Sequence, residues 1–343
     1  MDKSTQSEIK MILKQYGLKV NFIEKYGKTY KIVTRDGNFA LKRISPQLGT
    51  DFVRNVQMLY HRGYNRIVPI YPTLDGRYAV LNEHYLYYLM PWLPNEEKED
   101  RNEKHQKMFR ELARLHTLSV KDIPIASEER KEHFELTSTQ LERESEFFEE
   151  FLERSEKKVY MSPFELLYCT FYQDIIQALD FSKQEIKQWY EVSKELEKGR
   201  TVVVHGKIST EHFLYDERGY GYFTNFEDSK VSSPIHDLLP FLARTLTTYP
   251  KRWDDCVEWV YTYLSHFPFR EDEKHLFLSY LAHPGHMHRI VKEYFLKKTK
   301  KPEIRFVKQL QKQYWLLKNT EYVVMRIREM ENQSKGTESS GPS

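Results

Sequence analysis

Histidine, lysine, glutamate and asparagine gather in two neighbouring segments of the chain. The first reads Val203-Val204-His205-Gly206-Lys207-Ile208-Ser209-Thr210-Glu211-His212-Phe213-Leu214, and the second reads Tyr222-Phe223-Thr224-Asn225-Phe226-Glu227. A strand, a His-Gly turn, a second strand and a hairpin return into Asn-Phe-Glu form the layout of a loop that handles a hydroxyl proton, beside a loop that holds metal against phosphate. Three other groupings invite chemistry and fail on spacing. Gly27-Lys28-Thr29 ends like a phosphate-binding loop, but position 22, where that motif needs glycine, is Phe22, so it reads as a hairpin turn. Gly219-Tyr220-Gly221 begins like a dinucleotide fingerprint, but Thr224 stands at its third glycine and a strand follows where a helix should. His283, His286 and His288 lie close together without the H-E-x-x-H spacing, and residues two apart point to different helix faces, so metal binding is not expected there.

Periodicity shows which strands and helices surround these segments. Residues 20–25, 29–34 and 39–43 are short apolar-aromatic runs separated by Gly27-Lys28 and Arg35-Asp36-Gly37-Asn38, which gives three antiparallel strands in a row. Phe52, Val56, Leu59 and Tyr60 make a helical stripe over 51–62, capped by Gly63, and residues 78–81 and 84–90 bring the sheet to five strands. Beyond Pro94 the chain turns polar and then mainly helical, with Phe109, Leu112, Ala113 and His116 at helical spacing. Ser162-Pro163-Phe164-Glu165 and Ser182-Lys183-Gln184-Glu185 both have capping-box spacing, and Gly199 is expected to close the helix that the second begins. Strands are expected at 201–204, 213–215 and 220–223, with helices after Pro234. Residues 142–158 read as an amphipathic helix and 289–328 as a packed helix pair with a basic exterior.

With these residues in place, the chain resembles the aminoglycoside phosphotransferase and choline kinase branch of the protein-kinase-like fold, in which the two segments read H-G-D-x-x-x-x-N and I-D-F-E or I-D-W-D. The resemblance extends over about residues 20–321. Phe39-Ala40-Leu41-Lys42 is similar to the strand whose lysine, here Lys42, holds nucleotide phosphates, and residues 87–93 to the hinge between lobes. Arg110-Glu111-Leu112-Ala113-Arg114-Leu115-His116 is similar to the family's L-A-x-L-H helix, and Ser233-Pro234-Ile235-His236-Asp237-Leu238 to its aspartate helix. The fold class implied is α+β and two-lobed: residues 1–93 as an N-terminal lobe with a five-stranded antiparallel sheet plus helix, 94–331 as a mainly helical C-terminal lobe, and 332–343 as a disordered tail.

The same comparison shows what is missing. Where an aspartate would accept the hydroxyl proton and an Asn and an Asp would hold Mg²⁺, this chain has Lys207, His212 and Asn225. Two carboxylates have become a cation and a neutral amide, a change of about +3 in local charge that disfavours a divalent ion. No glutamate occurs from Arg43 to Asn82, so the helix partner of the strand lysine has no candidate except Asp51. Glu211, Glu227 and Asp228 are the carboxylates near enough to lend a relocated metal site. Lys42, with Lys207, is a candidate contact for a nucleotide or other anion, while His205 and Asp237 are read as structural, holding the turn and capping a helix. The expectation is a degenerate kinase with no cofactor and no metal; the alternative is a small-molecule phosphotransferase carrying phosphate from ATP, with Mg²⁺ on relocated ligands, to a sugar or amino alcohol hydroxyl.

Within that branch the chain resembles the CotS family of spore coat proteins, in its YsxE-like group. The features are Gly63-Tyr64, Val68-Pro69-Ile70-Tyr71-Pro72-Thr73-Leu74-Asp75-Gly76 and Tyr85-Leu86-Tyr87-Tyr88-Leu89-Met90-Pro91-Trp92. The resemblance implies a sporulation protein made in the mother-cell cytoplasm, assembled into the spore coat and partnered by other coat proteins. Composition agrees with a folded chain: 343 residues suit two domains or one two-lobed unit, 40% are hydrophobic and 14% aromatic. A net charge of +3 is too near balance for a dedicated nucleic-acid binder. The longest apolar run, residues 86–93, is far short of the ~20 residues that span a bilayer, and the N-terminus lacks a secretory signal, so a cytosolic start is expected. Cys169 and Cys256 read as buried thiols rather than redox or zinc ligands.

Overall fold

The computed structural model describes residues 3–95, 100–296 and 302–338. It opens with α1 (Lys3–Lys14), followed by β1 (Val20–Tyr26), β2 (Thr29–Thr34) and β3 (Asn38–Ile44). Next come α2 (Asp51–His61), β4 (Val80–Asn82), β5 (Tyr85–Pro91) and α3 (Arg101–Ser119). The middle of the chain holds β6 (Lys121–Pro124), α4 (Ser127–Glu156), α5 (Pro163–Ser193) and β7 (Lys198–Val204). Short strands β8 (Phe213–Tyr215), β9 (Gly221–Phe223) and β10 (Lys230–Ser232) precede α6 (Ile235–Leu246), α7 (Asp254–His266), α8 (Glu271–Ala282), α9 (Gly285–Phe295) and α10 (Glu303–Glu338). No helix among the described residues is long and apolar enough to cross a membrane. Two compact units form, Met1–Val120 with Thr201–Asp237, and Lys121–Arg200 with Leu238–Ser343.

In the first unit five antiparallel strands lie in the order β1-β2-β3-β5-β4, as the α+β reading expected. Strand alternation decides the faces: Tyr30 and Ile32 of β2, Leu41 of β3, and Tyr87 and Leu89 of β5 point into one buried layer. That layer is closed by α1, whose Ile9, Ile12, Leu13 and Tyr16 recur at helical spacing. These four positions stand at i, i+3, i+4 and i+7, so this helix, which the expected elements above do not include, has its stripe in the sequence. Two further small pairings, β8 with β9 and β10 with β7, carry the loops of interest.

In the second unit, α4, α5, α9 and α10 enclose a core that includes Phe148, Phe164, Tyr168, Val291 and Leu310. Ser162 caps α5 with the reciprocal bonds its spacing predicted, accepting from the Glu165 N–H while Glu165 answers the Ser162 N–H. The second capping-box reading is corrected: α5 continues through Ser182 without a break, and Gly199 lies in β7 rather than at a helix end. No breaker precedes Ser182, and Leu179 and Ile186 carry the apolar stripe across it. Its hydroxyl donates to the Ser279 carbonyl at 2.6 Å and the Ser279 hydroxyl donates back to the Ser182 carbonyl at 2.9 Å. Glu185, the supposed return partner, instead meets His275 at 2.8 Å and Arg328. α10 is helical over residues 332–338, inside the stretch that composition marked as a disordered tail, because it prolongs an existing helix; residues 339–343 and 96–99 lie outside the described residues.

Leu13 is fully buried between α1 and the sheet. Leu13→Ala is therefore expected to cost about 3 kcal/mol, read as a lowered denaturation midpoint, whereas a loss under about 1 kcal/mol would mean that α1 does not close this layer.

Candidate functional site

Strand register sets the first half of the site. β3 and β5 pair so that Lys42 stands opposite Tyr88, both on the face turned away from the Leu41 and Leu89 layer. The second half comes from the return after β9. Asn225 takes the left-handed conformation (φ 67°, ψ 52°), which asparagine tolerates better than most residues, and so swings the chain into the single turn Phe226–Asp228. There the two halves meet: Lys42 Nζ lies 2.5 Å from Glu227 Oε1 and donates to Asn225 Oδ1. The Tyr88 hydroxyl donates to the same Glu227 oxygen at 2.8 Å.

Burial sharpens this contact, since the Lys42 and Glu227 side chains keep only 13% and 7% of their exposure. Burial pushes the Glu227 carboxyl up, but the Lys42 charge and hydrogen bond, with help from Tyr88, hold it below the usual carboxylate range. At Lys42 burial wins over the Glu227 carboxylate and draws the ammonium below its usual value, with Lys207 acting in the same direction. Tyr88 is held far above its ordinary range, by burial first and Glu227 second, and so remains a proton donor.

A second cluster positions the His-Gly turn. Asp237, buried in the first turn of α6, accepts the N–H groups of His205 and Gly206, each at 2.7 Å, and lies 3.1 Å from His116 Nε2. The Lys207 N–H donates to His205 Nδ1 at 3.2 Å, so Nε2 carries the proton and donates to the Thr224 carbonyl at 2.8 Å. Burial lowers the His205 pKa against the opposing charge of Asp237, which keeps the ring neutral. Gly206 sits at φ +83°, and a Cβ there would fall 2.3 Å from the Asp228 carbonyl oxygen. The two loops thus touch at a point that only glycine fits.

The remaining candidates are placed differently. His212 uses Nδ1 to donate to the Lys207 carbonyl at 2.8 Å, with its pKa lowered chiefly by burial. Lys207, Glu211 and Asp228 are exposed. Asp51, the sole helix candidate for pairing with Lys42, is exposed at the start of α2, 3.9 Å from Arg54, so Glu227 fills that role instead. Tyr88 and Asn55 were missed as site residues. The strand that carries Tyr88 was expected from alternation over 84–90, but its register opposite Lys42 is set by the sheet, and nothing in the sequence marked Asn55, whose amide donates to the Ser229 carbonyl at 3.1 Å and hydroxyl at 3.0 Å.

Magnesium prefers several hard oxygen ligands, usually including carboxylate. Among the described residues no group of three or more His, Cys, Asp or Glu is arranged to hold a metal ion. Glu227, whose side chain is largely shielded, already has Lys42 and Tyr88 on a single oxygen, and Asn225 spends its oxygen on Lys42. This donor set does not fit a divalent cation. It suits a closed polar contact that fixes the loop. Gly206→Ala is expected to lower stability by about 2 kcal/mol or more, from strain and the Asp228 clash together. Chemical denaturation measures it, and a neutral result would mean that the two loops do not approach as described.

The comparisons with known proteins bear on this whole arrangement. The family model for the phosphotransferase enzyme family (APH) matches residues 25–258, which include every site residue from Lys42 to Asp237. A search of curated proteins gives no match. Among solved structures, an aminoglycoside phosphotransferase from Alicyclobacillus acidocaldarius is 14% identical, with 94% of this chain and 96% of that chain aligned at a TM-score of 0.69. The spectinomycin phosphotransferase APH(9)-Ia, solved with ADP and spectinomycin, is 14% identical over 92% of this chain and 98% of that chain, at a TM-score of 0.53. At that identity the likeness is one of fold, which is the kinase-like fold of aminoglycoside phosphotransferases. With a family match over about two thirds of its length, and the His-Gly turn and Asn-Phe-Glu return placed as above, this chain belongs to the phosphotransferase enzyme family.

Proposed function

We propose that this chain is a non-catalytic member of its family, a pseudokinase that uses the fold as a scaffold within the spore coat. The observation that carries the non-catalytic part is the engagement of Glu227 and Asn225 by Lys42, with Lys207 and His212 standing where the reaction needs a proton acceptor and a metal ligand. One lysine is removed from phosphate binding, and one carboxylate from metal binding, by the same contact. No magnesium-nucleotide step is assigned to these residues, and no cofactor is proposed. The coat part rests on the CotS-like segments around Gly63-Tyr64, residues 68–76 and residues 85–92. It carries with it synthesis in the mother-cell cytoplasm, deposition on the spore and other coat proteins as partners. The family match favours a second reading, ATP-dependent transfer to a sugar or amino alcohol with metal held by Asp228 and Glu211, both exposed and available.

Two measurements decide. Mixed with ATP, Mg²⁺ and a panel of sugars, amino alcohols and coat proteins, the pure protein is expected to make no ADP above background. Sustained ADP production that vanishes in Asp228→Ala or Glu211→Ala would replace the first reading with the second. In sporulating cells a fluorescent fusion is expected to gather at the forespore surface; an even vegetative cytoplasmic signal would discard the coat assignment and leave the non-catalytic reading to stand on the ADP result.

A further inference from the structure

The second unit contains a cavity of about 560 Å³, lined from α4, α6, α10 and the segment from the end of α8 into α9. That volume lies within the range of small-molecule sites. No residue of the His-Gly turn or the Asn-Phe-Glu return lines it, so its chemistry is separate from the site above.

Charge decides what it can hold. Its one carboxylate among the lining residues, Glu144, is buried and already answered. It accepts from His283 Nε2 at 2.7 Å and Gln140 Nε2 at 2.9 Å, and His288 Nδ1 lies 3.8 Å away. Burial alone would raise the Glu144 carboxyl, but these neighbours hold it below the usual range, so it stays ionised and paired. α6 and α10 bring only uncharged lining residues, among them Gln313 and Thr320. What is left over is one fixed cation and one titratable ring: Arg289 and His286 line the cavity, are exposed, and have no acidic partner recorded among the described residues.

We propose that this cavity binds a small multiply charged anion, with Arg289 as its fixed cationic contact and His286 as its titratable one. A guanidinium offers paired donors to carboxylate or phosphate oxygens, and Gln313 and Thr320, which line the cavity from α10, offer an amide and a hydroxyl as neutral hydrogen-bonding groups. A metal ion is the wrong guest, because no group of three or more His, Cys, Asp or Glu among the described residues is arranged for one.

Proton linkage gives the site a signature. Burial, then the charges of Arg289 and His283, lower the His286 pKa. An anion seated beside these groups reverses the last two effects and raises it, so binding takes up protons and tightens as pH falls through the histidine range. The other titratable groups on the wall are Glu144, His283, His288 and Tyr280; Lys292 acts on His288 from one turn further along α9, and burial raises the Tyr280 phenol away from this range.

Histidine-detected NMR on the full chain tests this, with inorganic phosphate and citrate as separate probes at millimolar concentration. Saturable binding of either is expected, tighter at about pH 6 than at about pH 8, with an upward move of the His286 titration midpoint. Arg289→Ala should weaken it about tenfold or more, and His286→Gln should flatten the pH dependence; both residues are exposed, and unchanged melting of the variants checks that they fold. Binding of phosphate alone assigns phosphoryl ligands, and of citrate alone carboxylate ligands. No binding of either probe, or equal binding by Arg289→Ala, overturns the proposal, and neither result touches the non-catalytic reading.

Discussion

The contact between Lys42 and Glu227 is the constraint around which the site is arranged. Two opposite charges, both largely out of water, must satisfy one another, because leaving either alone in that place costs several kcal/mol. Tyr88 adds a hydrogen bond to the carboxylate and Asn225 offers its oxygen to the ammonium, so the pair's remaining hydrogen-bonding capacity is partly filled from within the protein. A phosphate-holding lysine and a metal-holding carboxylate need the opposite: groups facing a cavity and satisfied only when ligand arrives. Lys42, Glu227, Tyr88 and Asn225 form a polar lock, which is the contact the proposed non-catalytic role rests on.

Around that contact the framework of a phosphotransferase persists. Asp237 still gathers two turn N–H groups, His205 still spans from its own turn to Thr224, and Gly206 still permits close approach to Asp228. Asn225 shows how framework and chemistry separate. Asparagine and aspartate both accept the left-handed backbone, so an amide there preserves the turn while removing the negative charge. The shape of the loop and its capacity for metal thus depend on different atoms of one side chain.

Much of this was legible in the sequence, for reasons that differ by element. The five strands and α2 were read from alternation and turn residues, because one face of that sheet is buried and each β-turn has its marker. Ser182 misled because a capping box and a mid-helix Ser-x-x-Glu are identical on paper; only the buried carbonyl of Ser279 distinguishes them. The stripe of α1 is carried by only four residues, Ile9, Ile12, Leu13 and Tyr16, in an otherwise polar segment, so what fixes it as a helix is the sheet it covers. At the site, the replaced positions Lys207, His212 and Asn225 were visible from spacing. The partner of Lys42 was not: the helix that follows its strand offers only Asp51, whereas the carboxylate is Glu227, from a loop far downstream. Such a pairing depends on tertiary register, which no local pattern encodes.

The most direct measurement is a crystal structure grown with a non-hydrolysable ATP analogue and magnesium. Lys42 is expected to stay joined to Glu227, with no magnesium coordinated by Asn225, Glu227 or Asp228. Two well-coordinated magnesium ions beside the terminal phosphate, with Lys42 turned from Glu227 to the phosphates, would contradict it.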